Sequence, residues 1–244
     1  MNKINIDICY IISSYIVDPK YDLLEWIDNN MLINSDLSTN INSIDYLKNN
    51  LHIIDWSKLS LNKNATSLLK ENIDKINWFN FSLNINGIHI LKAHPDKINW
   101  NTLSLNKNAI SILEANQDKI YWDNLCLNKS ALPILNANQD KINWNILSLN
   151  KYAVPLLENN IDKIHWENLS LNHNAIHLLE TNKDKINWFY LSYNKNALFL
   201  LKKNKDKINI QNFCRNKNIF ELYNEDPSKL ASILHKMFIN AKPI

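Results

Sequence analysis

The sequence predicts an all-α protein, an α-solenoid of 22-residue, two-helix repeats with a capping helix at each end. Three observations carry that prediction. Seven tryptophans (Trp56, Trp78, Trp100, Trp122, Trp144, Trp166 and Trp188) stand 22 residues apart, and a fixed period of this size is the signature of a repeat array. Six residues after every one of them stands an asparagine: Asn62, Asn84, Asn106, Asn128, Asn150, Asn172 and Asn194. The 244 residues include one glycine, Gly87, against an average usage of roughly 7%. Hairpin-rich barrels and phosphate-cradling loops, which need residues at φ > 0, are thereby disfavoured.

With tryptophan as position zero, the unit from Trp100 carries Leu103, Ser104, Leu105, Asn106, Ala109, Ile112, Leu113, Asn116, Asp118, Lys119 and Ile120. Positions nine, twelve and thirteen share one helix face. The asparagine at position six precedes that run and is expected to be its N-cap, accepting an unpaired backbone N–H. The asparagine at position sixteen (Asn72, Asn116, Asn138, Asn160, Asn182 and Asn204, with His94 once) is expected at the helix end in the left-handed conformation. The aspartate at position eighteen, from Asp74 to Asp206, is expected to cap a second helix carrying the next tryptophan. Two helices of about eight residues each cannot persist alone. They hold only by packing on neighbouring units, with the tryptophans expected in that core.

The same unit also matches the pattern of leucine-rich repeats, so the alternative is an α/β horseshoe with a strand at Leu103–Leu105. That pattern requires asparagine at position eight, where Ser130 and Tyr152 also occur, and leucine at position five, which becomes Thr39, Tyr193 and Arg215. Position six never varies, which favours the helical reading.

Three regions follow. Residues 1–33 form an N-terminal helical cap, with Asp18-Pro19 as a helix-start signal. Residues 34–224 hold the repeats, including degraded copies that begin at Asn34 and Ile210, as end repeats are usually atypical. Residues 225–244 form a C-terminal capping helix, apolar at Leu230, Ile233, Leu234, Met237 and Phe238.

The repeat, clearest from Leu103 to Trp122 and from Leu169 to Trp188, resembles the tandem-repeat proteins of giant DNA viruses. Those relatives often carry proline at position seven, where this chain has mostly lysine (Lys63, Lys107, Lys129, Lys151 and Lys195). The resemblance implies a viral origin, a host or virion protein as partner, a place in host cytoplasm or virion, and no enzymatic residues. Residues 7–24, with Ser14-Tyr15-Ile16, Asp18-Pro19 and Leu23-Leu24, resemble the first half of an F-box but lack its Leu-Pro opening. That resemblance implies a Skp1-like ubiquitin-ligase subunit as partner and a role as substrate adaptor.

The residues themselves point to binding rather than catalysis. Cys9, Cys126 and Cys214 are too few for a disulfide framework. Two of them replace the serine of position four, so buried thiols in a reducing, intracellular setting are expected. No apolar run approaches the roughly 18 residues of a membrane span, and the first residues lack a secretory pattern. His173 and His177 stand one helical turn apart, but no acid–histidine motif accompanies them, so no metal is expected. No cofactor motif is present either. The repeated Asp-Lys pairs nearly cancel in charge, which disfavours a phosphate track and leaves a nucleic-acid-binding repeat protein as the last-ranked alternative. Positions one, two, seven, eleven, fourteen and fifteen vary inside a fixed frame. Phe79, Phe189, Tyr190 and Phe199 occupy such positions and are the candidate anchors for a protein partner.

Overall fold

A computed structural model describes residues 36–219, together with residues 21–25, 27 and 32. The expected N-terminal cap with its F-box-like stretch, and the C-terminal capping helix, lie outside the described residues apart from those few positions. The described chain divides into two compact units, one ending at Asn143 and one beginning at Trp144, so that the boundary falls between two repeats.

Within each unit the chain is an all-helical solenoid. No strand occurs among the described residues, and Leu103–Leu105 lies at the end of a helix and in the turn that follows, so the leucine-rich horseshoe is excluded there. Each repeat is shorter in its parts than the sequence suggested. The unit from Trp100 runs through an α-helix at Trp100–Leu103, an α-helix at Ile110–Glu114 and a 3-10 turn at Gln117–Lys119. Elsewhere the α-helices span four to six residues. The expected second helix is therefore split into a 3-10 turn and a short α-helix around the extended residue at position twenty, such as Ile120 at ψ 132°.

That interruption relocates the cap. The residue capping the tryptophan helix directly precedes the tryptophan. The side chains of Asn77, Asn99, Asn187 and Asn209 accept the N–H three residues on at 3.0–3.2 Å, and Asp55 and His165 do the same. The aspartate at position eighteen sits inside the exposed 3-10 turn instead. Asparagine at position sixteen does end its helix, but at φ between −128° and −141° rather than in the left-handed region. It works through its side chain, which donates back to the carbonyl four residues earlier, as Asn116 does to Ile112 at 2.8 Å.

Five rows of apolar side chains fill the interior: leucine or Phe81 at position three, alanine or Gly87 at position nine, leucine or isoleucine at positions twelve and thirteen, and isoleucine at position twenty. Gly87 is explained by its neighbour. A Cβ built there would lie 2.7 Å from the Phe81 ring, so the larger residue at position three requires the smallest at position nine. Its φ of −81° needs no glycine. The tryptophans depart from expectation: all seven are half-buried at the margin of the core rather than sealed within it.

Candidate functional site

The invariant asparagine at position six is the device that joins one repeat to the next, and it does not cap a helix. The helix after it begins at an alanine without any side-chain cap, as at Ala65, Ala109 and Ala175. Asn84 is buried. Its Nδ2 donates to the carbonyls of Ser60 and Asn62 in the preceding repeat, both at 3.0 Å, and its Oδ1 accepts the Asn86 N–H. The same three bonds recur at Asn62, Asn106 and Asn172, and at Asn194 and Asn216. Position eight adds a second rung: Asn86 Nδ2 donates to the Lys63 carbonyl and Asn174 Nδ2 to that of Lys151. At position two, Asn80, Asn124, Asn168 and Asn212 reach the carbonyl of position one in the preceding repeat. Lys58 at that position instead hydrogen-bonds Asp36, whose carboxylate holds the ammonium above its usual pKa.

Serine at position four completes the frame within each repeat. Ser82 Oγ donates to the Trp78 carbonyl at 2.8 Å and accepts the Asn99 N–H at 3.0 Å, fixing the extended residues that lead into the next helix. Cys126 takes this place in its repeat; burial pushes its thiol up to about 11, against the pull of the Asn143 backbone N–H. The thiol is therefore protonated and unreactive at neutral pH. Among the described residues no buried side-chain nitrogen or oxygen lacks a hydrogen-bond partner.

Outside this frame lie two kinds of surface. Along one margin the lysine of position nineteen covers its own repeat's tryptophan, as Lys119 covers Trp100 at 4.8 Å and Lys185 covers Trp166 at 4.8 Å. In the first two repeats Lys75 and Lys97 pair with Asp74 and Asp96 instead. This margin is internally compensated, by an aromatic face or by an acid.

The other surface is the outer face of the tryptophan helix. Position one is exposed in each repeat from Trp56 to Ile210, and its residue differs within each unit: Ser57, Phe79, Asn101 and Asp123 in the first, and Asn145, Glu167, Phe189 and Gln211 in the second. One helical turn on, position five holds exposed Leu61, Leu105 and Leu127 in the first unit, and Leu149 and Tyr193 in the second. This apolar row was not anticipated. Leucine beside an invariant polar residue reads in the sequence as core, and only its direction away from the ladder shows otherwise.

The structure places the candidate anchors as follows. Phe79 is 54% exposed and lies in the first unit, where no other candidate is found. In the second unit Phe189 is 50% exposed and packs edge-on against half-buried Tyr190, with ring centroids 5.2 Å apart. Phe199, 61% exposed at position eleven, carries the Lys203 ammonium 3.9 Å from its ring centroid. Phe79 and Phe189 thus belong to the row at position one, with Tyr190 supporting Phe189, whereas Phe199 stands on a different helix.

His173 and His177 do not converge. His173 Nδ1 meets Asn194 Oδ1 at 2.8 Å and His177 Nε2 meets Glu158 Oε1 at 2.6 Å. Among the described residues no three His, Cys, Asp or Glu side chains are grouped to hold a metal ion, and no helix is long and apolar enough to cross a membrane. No protein family matches the chain, no curated protein is similar to it, and no solved structure matches it.

Proposed function

We propose that the chain is a non-enzymatic scaffold that binds a protein partner through the outer face of its tryptophan helices. The observation that carries this reading is the paired row in each unit, with an apolar residue at position five from Leu61 to Tyr193, exposed in five of those seven repeats, and a different exposed side chain at position one. A fixed apolar contact beside a variable one supplies affinity and selectivity together. Exposed Leu105 and Leu127, on consecutive repeats of the first unit, also present neighbouring apolar surface rather than the scattered hydrophobics any soluble protein carries. Phe79 and Phe189 are the strongest anchors, since a large aromatic gives up little side-chain entropy on binding. The margin of lysines fits nucleic acid poorly, because each ammonium already faces an indole or stands beside an aspartate.

A photo-crosslinking residue placed at Leu127 or at Phe189, with controls at Asp118 and Asp184, tests the reading in a cell extract. The expected result is one protein species captured from both row positions and neither control, and lost on Leu105→Ser or Tyr193→Ala respectively. Nucleic acid captured with a steep salt dependence, and no protein, would overturn it.

A further inference from the structure

Two demands of the frame converge on one dipeptide. Position eight carries asparagine where its amide makes the second rung between repeats, and Asn86 Nδ2 donates to the Lys63 carbonyl at 2.9 Å. Position nine is glycine in this repeat alone, because the Phe81 ring leaves no room for a Cβ. The result is Asn86-Gly87, where other repeats carry Asn64-Ala65, Asn108-Ala109, Asn174-Ala175 and Asn196-Ala197. Asparagine is a thermolabile residue, and before glycine it is at its least durable. The next backbone nitrogen attacks the side-chain Cγ, and at glycine no Cβ hinders that approach.

We propose that Asn86 is a site of spontaneous deamidation, held off by the rung to Lys63 while the repeat is closed, and that the product keeps the rung from reforming. The reaction is a cyclisation followed by a hydrolysis. The Gly87 nitrogen bonds to Asn86 Cγ and gives its proton to water, and the side-chain amide leaves as ammonia. Water then opens the cyclic imide at either carbonyl, leaving an aspartate or an isoaspartate. Asn86 is exposed, so burial does not shield it from water. Hydrogen bonds protect it instead. The Asn86 N–H donates to Oδ1 of buried Asn84 at 3.0 Å, and the Gly87 N–H donates to the Asn84 carbonyl at 3.0 Å. The attacking nitrogen and the amide it attacks are thus both held by other partners, and a local opening must release them together. After reaction the repeat cannot close as before. An ionised carboxylate only accepts hydrogen bonds, so it would meet the Lys63 carbonyl with no hydrogen between the two oxygens. An isoaspartate also lengthens the backbone beside the Phe81 ring, where space is already limiting.

Peptide mapping by mass spectrometry of the full chain, kept at mildly alkaline pH, reads the reaction as the mass gained when an amide becomes an acid. In urea, Asn86 converts at least about tenfold faster than Asn108, which makes the same rung but precedes alanine. In the folded chain, conversion at Asn86 is at least about tenfold slower than in urea, and low urea concentrations raise it in step with local opening. Phe81→Leu with Gly87→Ala removes the fast reaction in urea, a result that does not depend on how that variant folds. Asn86→Asp stands for the product and lowers the urea midpoint of unfolding. Asn136→Asp, at an exposed asparagine outside the ladder, leaves the midpoint unchanged. Equal rates at Asn86 and Asn108 in urea overturn the site. Equal rates at Asn86 in folded and unfolded chain overturn its protection by the rung. An Asn86→Asp chain as stable as the parent overturns the claim that the product holds the repeat open.

Discussion

Phe81 and Phe213 occupy the same position in their repeats, and one is sealed while the other is half-buried. Around Phe81 the interior is closed, and the extra ring volume is offset by Gly87, whose place is held by buried alanine in the other closed repeats. Beside Phe213 the same position carries Ile219, larger than either. In the repeats where positions three and nine are both buried, their summed volume is therefore conserved. Burial in this molecule is set by what covers a position rather than by the residue there.

The largest expected effect tests the ladder that closes the repeats. Asn106→Ala leaves the Ser82 and Asn84 carbonyls and the Asn108 N–H without that side chain. It costs about 2–3 kcal/mol in urea unfolding, the upper end of the range for stranding a buried polar group. Asn216→Ala removes the same three bonds from the repeat of half-buried Phe213 and costs about 1 kcal/mol, because the last repeat can fray without unfolding its neighbours. Equal losses at the two sites would erase the expected difference between an inner repeat and the last one.

Next in size, Gly87→Ala forces a Cβ against the Phe81 ring and costs about 1–3 kcal/mol by overpacking. Phe81→Leu in the same chain recreates the pair found in other closed repeats and restores most of that loss, with a coupling of about 1 kcal/mol or more in a double-mutant cycle. Alone, Phe81→Leu leaves a small void beside Gly87 and costs about 1 kcal/mol, whereas Phe213→Leu changes stability by less than about 0.5 kcal/mol.

Two smaller effects sharpen the picture of the margins. Lys185→Ala uncovers Trp166 and costs about 0.5 kcal/mol, the scale of an exposed cation–π contact. The same change at Lys97, which pairs with Asp96 and lies over no indole, is close to neutral. The last effect is a pH dependence. The raised Cys126 pKa means that the folded state keeps a proton the unfolded state releases above its ordinary value of 9.0. That contribution is fully present below pH 9, falls as pH rises and is gone above about 11. Cys126→Ser removes this slope, measured as urea midpoints across the alkaline range.

Much of the frame was legible because repetition acts as its own control. The period, the helical class and the residues of positions three, nine, twelve, thirteen and twenty could be read directly from their recurrence. The roles of the polar residues could not. An asparagine that never varies announces an obligatory hydrogen bond, yet the sequence does not say whether its partner lies in the same repeat or the preceding one. Asn106 was therefore expected to cap its own helix, and it reaches 22 and 24 residues back instead. The true cap, the residue before the tryptophan, stood in plain view but was hidden by its variety: Asp55, Asn77 and His165 all serve, while Tyr121 makes no side-chain cap. The apolar row at position five was missed for the complementary reason, since recurrence marks a leucine as constrained without saying which way it points.

What the amino-acid sequence determined alone is the unit and its count, because a helix face and an obligatory polar group recur at the same spacing wherever the same short segment must be buried. What only the tertiary structure decided is the direction of each bond and the fate of each face. The Asn ladder, the lysine-covered tryptophans and the exposed row at positions one and five all arise between segments about one repeat apart. There, the chain brings together groups whose pairing no local propensity encodes.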